Sequence, residues 1–202
     1  MVPSVSRRTV LVAGVGLAIA ACSKGKWVGR TGGATPATTL SPTPSCGGGQ
    51  ATVAQTEGPY FKPNSPEKSD LYADVSKGTK LVVAGSVLST SCEPVGRVLL
   101  DVWQADADGQ YDNTGNRLRG HLFADDSGRY RFVTVVPGLY PGRTRHIHVK
   151  VQAPNGSVLT TQLYFPGEPR NATDSIFDNK LLMTVNDVPE GKNATFDFVV
   201  RS

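Results

Sequence analysis

Short runs of β-branched and other apolar residues, separated by clusters of Gly, Pro, Asn and Asp, make up the chain after residue 50. No long stretch of helical periodicity interrupts them. The pattern predicts seven strands, at residues 80–88, 97–105, 129–136, 146–153, 158–165, 181–186 and 194–200. Many short strands and turn signals of this kind indicate an all-β fold, an antiparallel sandwich or barrel.

The start of the chain has a different composition and reads as a targeting signal over residues 1–21. Arg7 and Arg8 form a twin-arginine pair, followed by an apolar run that is too short to span a bilayer. The run ends in Ile-Ala-Ala before Cys22, which resembles the lipobox of bacterial lipoproteins, in which that thiol is acylated. We therefore expect export, with a lipid anchor at Cys22 on the outer face of the cytoplasmic membrane or cell envelope. The alternative is a buried N-terminal helix in which Cys22 is incidental.

Residues 22–50 are rich in Ser, Thr, Pro, Gly and Ala and predict a disordered tether, so that residues 51–202 form the folded domain. Removal of the signal would lower the formal net charge from +4 to +2, because two arginines leave with it. Such a small charge gives no basis for nucleic-acid binding.

Cys46 and Cys92 remain once Cys22 is assigned to lipid. An even pair in an exported domain predicts a disulfide. The alternative is two separate buried thiols.

Two of the three histidines of the chain lie two residues apart in a predicted strand. Side chains alternate between the faces of a strand, so His146 and His148 point the same way. Two imidazoles on one face are a metal-ligand arrangement. A polar strand face turned to solvent would show the same spacing.

Two tyrosines, Tyr111 and Tyr140, lie among turn-forming residues close to the predicted strands. Either one alone is commonly a half-buried anchor whose hydroxyl reaches water. Phenol ionises near pH 10, so phenolate ligands at neutral pH need a strong Lewis acid. Hard, anionic oxygen ligands favour ferric iron over zinc or copper(I).

Six short motifs, in order along the chain, resemble those of the intradiol ring-cleavage dioxygenases, which cleave catechol and protocatechuate. They are TEGPYF at 56–61, LDVWQAD at 100–106, GQY at 109–111, GRYRF at 128–132, PGLYPGR at 137–143 and HIH at 146–148. Each motif alone is weak. Their common order makes the resemblance specific over most of the predicted domain.

The resemblance implies a β-sandwich with one non-haem Fe(III) per chain. Tyr111 and His146 would be equatorial ligands, and Tyr140 and His148 axial ligands, with hydroxide as the fifth. The implied reaction opens a catechol-type ring between its two hydroxyls with O2 and yields a cis,cis-muconate-type diacid. Tyr140 would leave its position to accept a substrate proton, and Arg143 would stabilise negative charge on the ring. Arg145, by contrast, is expected at the surface.

Gln162 also matches a pocket residue of that family, and Tyr60 is expected at the mouth of the pocket. Strand register decides where Gln162 lies. A two-residue turn at Asn155 and Gly156 would pair His148 with Leu163, whereas a loop with an odd number of residues would pair it with Gln162. We expect the odd loop.

Other polar and aromatic residues are expected to be structural: Trp103 in the core, His121 outside the ligand set, and aspartates such as Asp101 and Asp125 capping turns. The loop 166–179 is expected to form a pocket wall.

The chain departs from the cytoplasmic members of that family because no helical dimerisation region precedes residue 56. We therefore expect a monomer. The pattern does not rank catechol, protocatechuate, hydroxyquinol and chlorinated diols as substrates. The rival interpretation is a tethered β-sandwich that binds iron or a ligand without catalysis.

Overall fold

The computed structural model describes Cys46 and residues 49–201. The signal segment, the acylation site at Cys22 and nearly all of the tether lie outside the described residues, so those expectations stay predictions. Within the described residues there is no helix with both the length and the hydrophobicity to span a bilayer.

Nine strands in two sheets make up the described domain, which confirms the predicted all-β sandwich. The strands are β1 (Lys80–Ser89), β2 (Leu99–Trp103), β3 (Arg119–Phe123), β4 (Arg129–Val135), β5 (His146–Gln152), β6 (Val158–Tyr164), β7 (Thr184–Val188), β8 (Gly191–Thr195) and β9 (Phe198–Val200). Short 3-10 helices occupy three of the connections, at Tyr72–Asp74, Pro169–Ala172 and Asn179–Leu181.

One sheet has the order β4-β1-β8-β7, with β9 also paired to β1, and the other has the order β3-β2-β5-β6. β1 shares one edge between β8 and β9, and both of these pairings are parallel. The remaining pairings are antiparallel, as predicted. The change of partner falls at Gly85, where a Cβ atom would lie 1.8 Å from the carbonyl oxygen of Phe196. Only glycine allows the crossing chain to approach so closely.

Alternating apolar residues of the two sheets meet in the core. Leu81 and Val83 of β1 and Ile147 and Val149 of β5 are fully buried. Each such side chain contributes about 1.5–3 kcal/mol relative to an exposed one. Because Ile147 and Val149 face this core, His146 and His148, which alternate with them along β5, face the outer side of the four-stranded sheet.

Cys46 and Cys92 form a disulfide with an S–S distance of 2.04 Å. The bridge links the chain just before the folded domain to the turn that follows β1. The structure thus pairs the two cysteines as the sequence predicted.

The strands of the structure differ from the predicted ones in three places. β3 was not predicted, because its sequence, RGHLF, lacks a β-branched run and is specified by pairing with β2. The segment 194–200 forms parts of two strands, since the chain moves from one partner position on β1 to the next. The first residues of 181–186 belong to a 3-10 helix and its exit, so β7 begins at Thr184.

Candidate active site

The outer face of the four-stranded sheet gathers polar and aromatic side chains into rows. Arg119, Trp103, His148 and Gln162 are consecutive register partners across β3, β2, β5 and β6. His146 and Tyr164 are partners in the neighbouring row. The loop between β5 and β6 spans residues 153–157, an odd number, so His148 pairs with Gln162 and not with Leu163. The predicted register is confirmed.

Residues 54–61, which precede β1 and form the covering segment, lie over this face. The backbone N–H of Gln55 donates to the Thr160 carbonyl at 2.8 Å, and Gln162 Nε2 donates to the Thr56 carbonyl at 2.9 Å. Lys150 pairs with Glu57 at 2.5 Å. The cover buries His146 and His148 to 4% and 3% exposure, so the polar strand face is not a solvent-facing one.

The two imidazoles are held neutral with their Nε2 atoms facing each other. The Nδ1–H of His146 donates to the Thr144 carbonyl at 2.7 Å, which leaves its Nε2 as an acceptor, 3.2 Å from Nε2 of His148. Burial lowers the pKa of His146 to about 4. Burial, and then the nearby His146 and Arg143, lower the pKa of His148 well below its ordinary value. Both rings are therefore able to donate a lone pair at neutral pH.

The phenols complete this cluster. The hydroxyl of Tyr111 lies 3.1 Å from Nε2 of His146. Tyr60 stacks on Tyr111, with ring centroids 4.6 Å apart, and its hydroxyl lies 2.7 Å from that of Tyr140. Burial raises the pKa of Tyr111 far above its ordinary value, and the hydrogen bond to Tyr140 raises the pKa of Tyr60. Without a cation beside them, these phenols stay protonated.

Three donor atoms thus converge: the Tyr111 oxygen and the two imidazole Nε2 atoms. Tyr140 lies next to them, its ring 5.7 Å from that of Tyr111, with its hydroxyl directed to Tyr60. Among the described residues no cluster of three or more His, Cys, Asp or Glu could hold a metal ion. A metal at this position would therefore be held by imidazole and phenol together, and the convergent neutral nitrogens fit such an ion.

Arg143 and Gln162, the two predicted pocket residues, are in direct contact. Arg143 Nη2 donates to Gln162 Oε1 at 2.7 Å, while its Nε donates to Asp174 Oδ2 at 2.9 Å. The Tyr164 hydroxyl donates to the same Gln162 oxygen at 3.1 Å. The guanidinium is thereby fixed beside the two histidines, and its charge lowers the pKa of each of them.

Sequence reasoning missed two residues that shape the site, Arg119 and Asp174, and underrated Trp103. Arg119, buried in the unpredicted β3, donates to the carbonyls of Tyr60 at 2.6 Å and Asp112 at 2.8 Å. Trp103 is buried as expected but also stacks on His148, with centroids 4.8 Å apart. Alternation along β2 could have placed Trp103 on the site face. No local signal marks Asp174, because its position depends on the path of a loop.

The structure also shows where the polar residues that were expected to be structural lie, and it corrects two of those expectations. Arg145 is not a surface residue: it is half-buried and pairs with Glu168 at 2.6 Å. Asp101 lies in strand β2, not in a turn, and its carboxylate accepts a hydrogen bond from the Ser65 hydroxyl. Asp125 caps its turn as expected, since its carboxylate accepts from the Ser127 N–H. His121 lies in β3 against Ser65, away from the two site histidines.

An all-β sandwich whose outer face joins two histidines, two tyrosines and an arginine defines the class of protein: a fold with a buried site lined by phenols and imidazoles. A family model described as Dioxygenase matches residues 56–202. The chain belongs to the intradiol ring-cleavage dioxygenase family.

The names of similar proteins are consistent with membership of this family. The chain is 39% identical over 118 residues to the β chain of protocatechuate 3,4-dioxygenase from Burkholderia cepacia, covering 50% of each protein. It is 31% identical to hydroxyquinol 1,2-dioxygenase from Nocardioides simplex, covering 65% of this chain and 53% of the relative. The chain therefore spans about half the length of these curated relatives.

A solved structure resembles the domain over nearly its whole length. It is the dioxygenase domain of a dioxygenase and carbohydrate-binding protein fusion from the cellulolytic bacterium Streptomyces sp. SirexAA-E. The two are 55% identical with a TM-score of 0.74, and the match covers 75% of this chain and 99% of that one.

Proposed function

We propose that the protein is a non-haem Fe(III) dioxygenase that cleaves catechol-type diols between their two hydroxyls with O2, giving cis,cis-muconate-type diacids. The observation that carries the proposal is the convergence of the Tyr111 hydroxyl with the Nε2 atoms of His146 and His148. Arg143 and Gln162 lie beside them in direct contact.

Tyr111, Tyr140, His146 and His148 would hold the iron. When bound, ferric iron would allow the phenols to ionise at neutral pH and would withdraw electrons from a catecholate, making its ring reactive toward O2. Two phenolates and one hydroxide would balance its three positive charges, which suits a largely buried site.

His146 Nε2 lies 3.1 Å from the Tyr111 oxygen and 3.2 Å from His148 Nε2. The three donor atoms are thus close enough to bind one ion together, since bonds from a metal ion to imidazole nitrogen are about 2.0–2.1 Å long. The division of the ligands into equatorial and axial ones stays a prediction.

Three side chains of the site would then have different roles toward the substrate. Tyr140 already shares a hydrogen bond with Tyr60, so Tyr60 can hold the Tyr140 phenol once it has left its ligand position and accepted a proton. The fixed guanidinium of Arg143 would stabilise negative charge on the ring. Gln162, tied to Thr56 and Arg143, would line the substrate position beside Arg143.

We further propose that the enzyme works outside the cytoplasm, anchored through Cys22, on aromatic diols released from plant polymers. The twin arginines and the small residues before Cys22 support export. The 55% identical domain belongs to a cellulolytic bacterium, which supports that substrate source. Cell fractionation of the wild type and Cys22→Ala tests the anchor; equal release of both proteins to the soluble fraction would refute it.

The central test loads the purified chain with ferric iron and records visible absorption, since a phenolate–Fe(III) centre is coloured. Catechol, protocatechuate, hydroxyquinol and 4-chlorocatechol are then supplied with O2, and diacid is sought by mass spectrometry. We expect a visible band and a ring-opened product from at least one diol. A colourless loaded protein would refute the iron assignment. Bleaching of the band by every diol without diacid would support the rival interpretation, a binding module.

A further inference from the structure

The loop 166–179 lies against the segment 140–145, which carries two of the site residues. Arg170 Nη1 donates to the carbonyls of Tyr140 at 3.2 Å and Arg143 at 3.3 Å. Asn171 Oδ1 accepts from the Thr144 hydroxyl at 2.6 Å. Asp174 Oδ2 accepts from Arg143 Nε at 2.9 Å and from the Thr144 N–H at 2.8 Å. The predicted pocket loop therefore reaches the site through backbone and side-chain hydrogen bonds.

Asp174 is the charged member of this set that contacts a site side chain, and it is itself held in place. Its side chain is 2% exposed, and its second oxygen accepts from the Ile176 N–H at 3.1 Å. An ionised carboxylate this deeply buried needs partners, and here both oxygens have them. The carboxylate is thus a fixed point to which a guanidinium can be aligned.

The guanidinium of Arg143 has a partner on either side. Asp174 takes Nε and Gln162 takes Nη2, which fixes the plane of the group. No described residue accepts a hydrogen bond from Nη1 of Arg143, so that nitrogen is available to a ligand. Asp174 makes no hydrogen bond to a predicted metal ligand, and its contacts with the site are those to Arg143 and to the Thr144 backbone. Its charge also raises the pKa of His146, although burial keeps that pKa low.

We propose that Asp174 is a positioning residue that fixes the orientation of the Arg143 guanidinium toward the aromatic diol. The inference rests on the proposed function, because it assigns Arg143 to the substrate. Loss of the Asp174 charge would let the guanidinium rotate away, while the iron ligands stay in place.

The test compares Asp174→Asn with Glu168→Gln. Glu168 is a matched control, since it lies on the same loop and pairs with the neighbouring Arg145, whose guanidinium also bonds to the Pro137 carbonyl. Anaerobic binding of catechol to the iron-loaded proteins is measured by the shift of the visible band. In the metal-free proteins, the rate at which phenylglyoxal modifies Arg143 is measured by peptide mass spectrometry, with exposed Arg97 as the internal standard.

We expect Asp174→Asn to keep its iron and its visible band, to bind catechol about tenfold more weakly, and to expose Arg143 to faster modification. Glu168→Gln should match the wild type in all four. In an Arg143→Gln background, Asp174→Asn should cause no further loss of binding, because both changes remove one interaction. If Asp174→Asn does not unfold cooperatively, Asp174→Glu takes its place, with the same expected direction.

An equal loss in the Arg143→Gln background, an unchanged modification rate, or the same loss in Glu168→Gln overturns the proposal. A wild type that binds catechol but yields no diacid refutes the proposed catalysis alone, since binding and modification still test Asp174. A wild type that binds no diol refutes both.

Discussion

The hydroxyls of Tyr60 and Tyr140 lie 2.7 Å apart, and the ring of Tyr60 stacks on that of Tyr111. One residue from the covering segment therefore contacts both tyrosines that are predicted to bind iron. Arg119 donates a hydrogen bond to the backbone carbonyl of Tyr60. The covering segment therefore contributes a side chain to the site in addition to burying it.

The first prediction concerns Tyr140→Phe. We expect the variant to bind iron through the three remaining ligands, but to turn over roughly a hundredfold more slowly or worse, because a proton acceptor for the diol is lost. Iron analysis and the rate of diacid formation provide the measurement. Tyr72→Phe is the control, since Tyr72 makes only a long 3.5 Å hydrogen bond to Gly78. Full activity of Tyr140→Phe would contradict the assigned role.

His148→Ala should lose iron. Loss of a residue that merely supports a ligand commonly weakens metal affinity about 10–100-fold, so loss of a ligand itself should cost at least as much. Titration with ferric iron under a competing chelator measures the affinity. His121→Ala, the matched control, should retain wild-type affinity because His121 lies against Ser65. Equal affinities of the two variants would remove His148 from the ligand set.

Arg119→Met should lower the free energy of unfolding by about 1–3 kcal/mol, because it leaves the carbonyls of the half-buried residues Tyr60 and Asp112 without a charged donor. Urea unfolding measures this change. We also expect slower turnover, since the same contacts place Tyr60 and the loop that carries Tyr111. Arg131→Met serves as the comparison, since Arg131 is exposed on β4. A similar decrease in the free energy of unfolding for that variant would show that the hydrogen bonds of Arg119 are not responsible.

Much of the fold could be predicted from alternation and turn residues, and the site from the types of residue on one strand face. His146, His148 and Gln162 follow from strand parity alone, once the loop between β5 and β6 has an odd length. β3 could not be predicted, because its sequence has no run of β-branched residues and burial of Arg119 depends in part on the carbonyl of Tyr60, 59 residues away. Asp174 was missed for the same reason: its contact with Arg143 spans 31 residues and depends on how one loop folds over another.

The last prediction is the pH dependence of the Asp174–Arg143 pair. Burial raises the pKa of Asp174, but the N–H groups of Thr144 and Ile176 and the guanidinium of Arg143 outweigh burial and lower it below its ordinary value of 3.8. A lowered carboxyl pKa stabilises the fold above the unfolded-state pKa, and that contribution is lost as the pH falls through the folded-state pKa.

Metal-free wild type should therefore exceed metal-free Asp174→Asn in the free energy of unfolding by about 1–3 kcal/mol near neutral pH. The difference should be constant while the pH stays well above 3.8 and should shrink below that value. Urea unfolding over the acidic range provides the measurement. Asp126→Asn is the control, because Asp126 and its partner Arg97 are 83% and 79% exposed and contribute little. A difference between wild type and Asp174→Asn that persists unchanged in acid would mean that hydrogen-bond geometry, and not the carboxylate charge, holds Arg143.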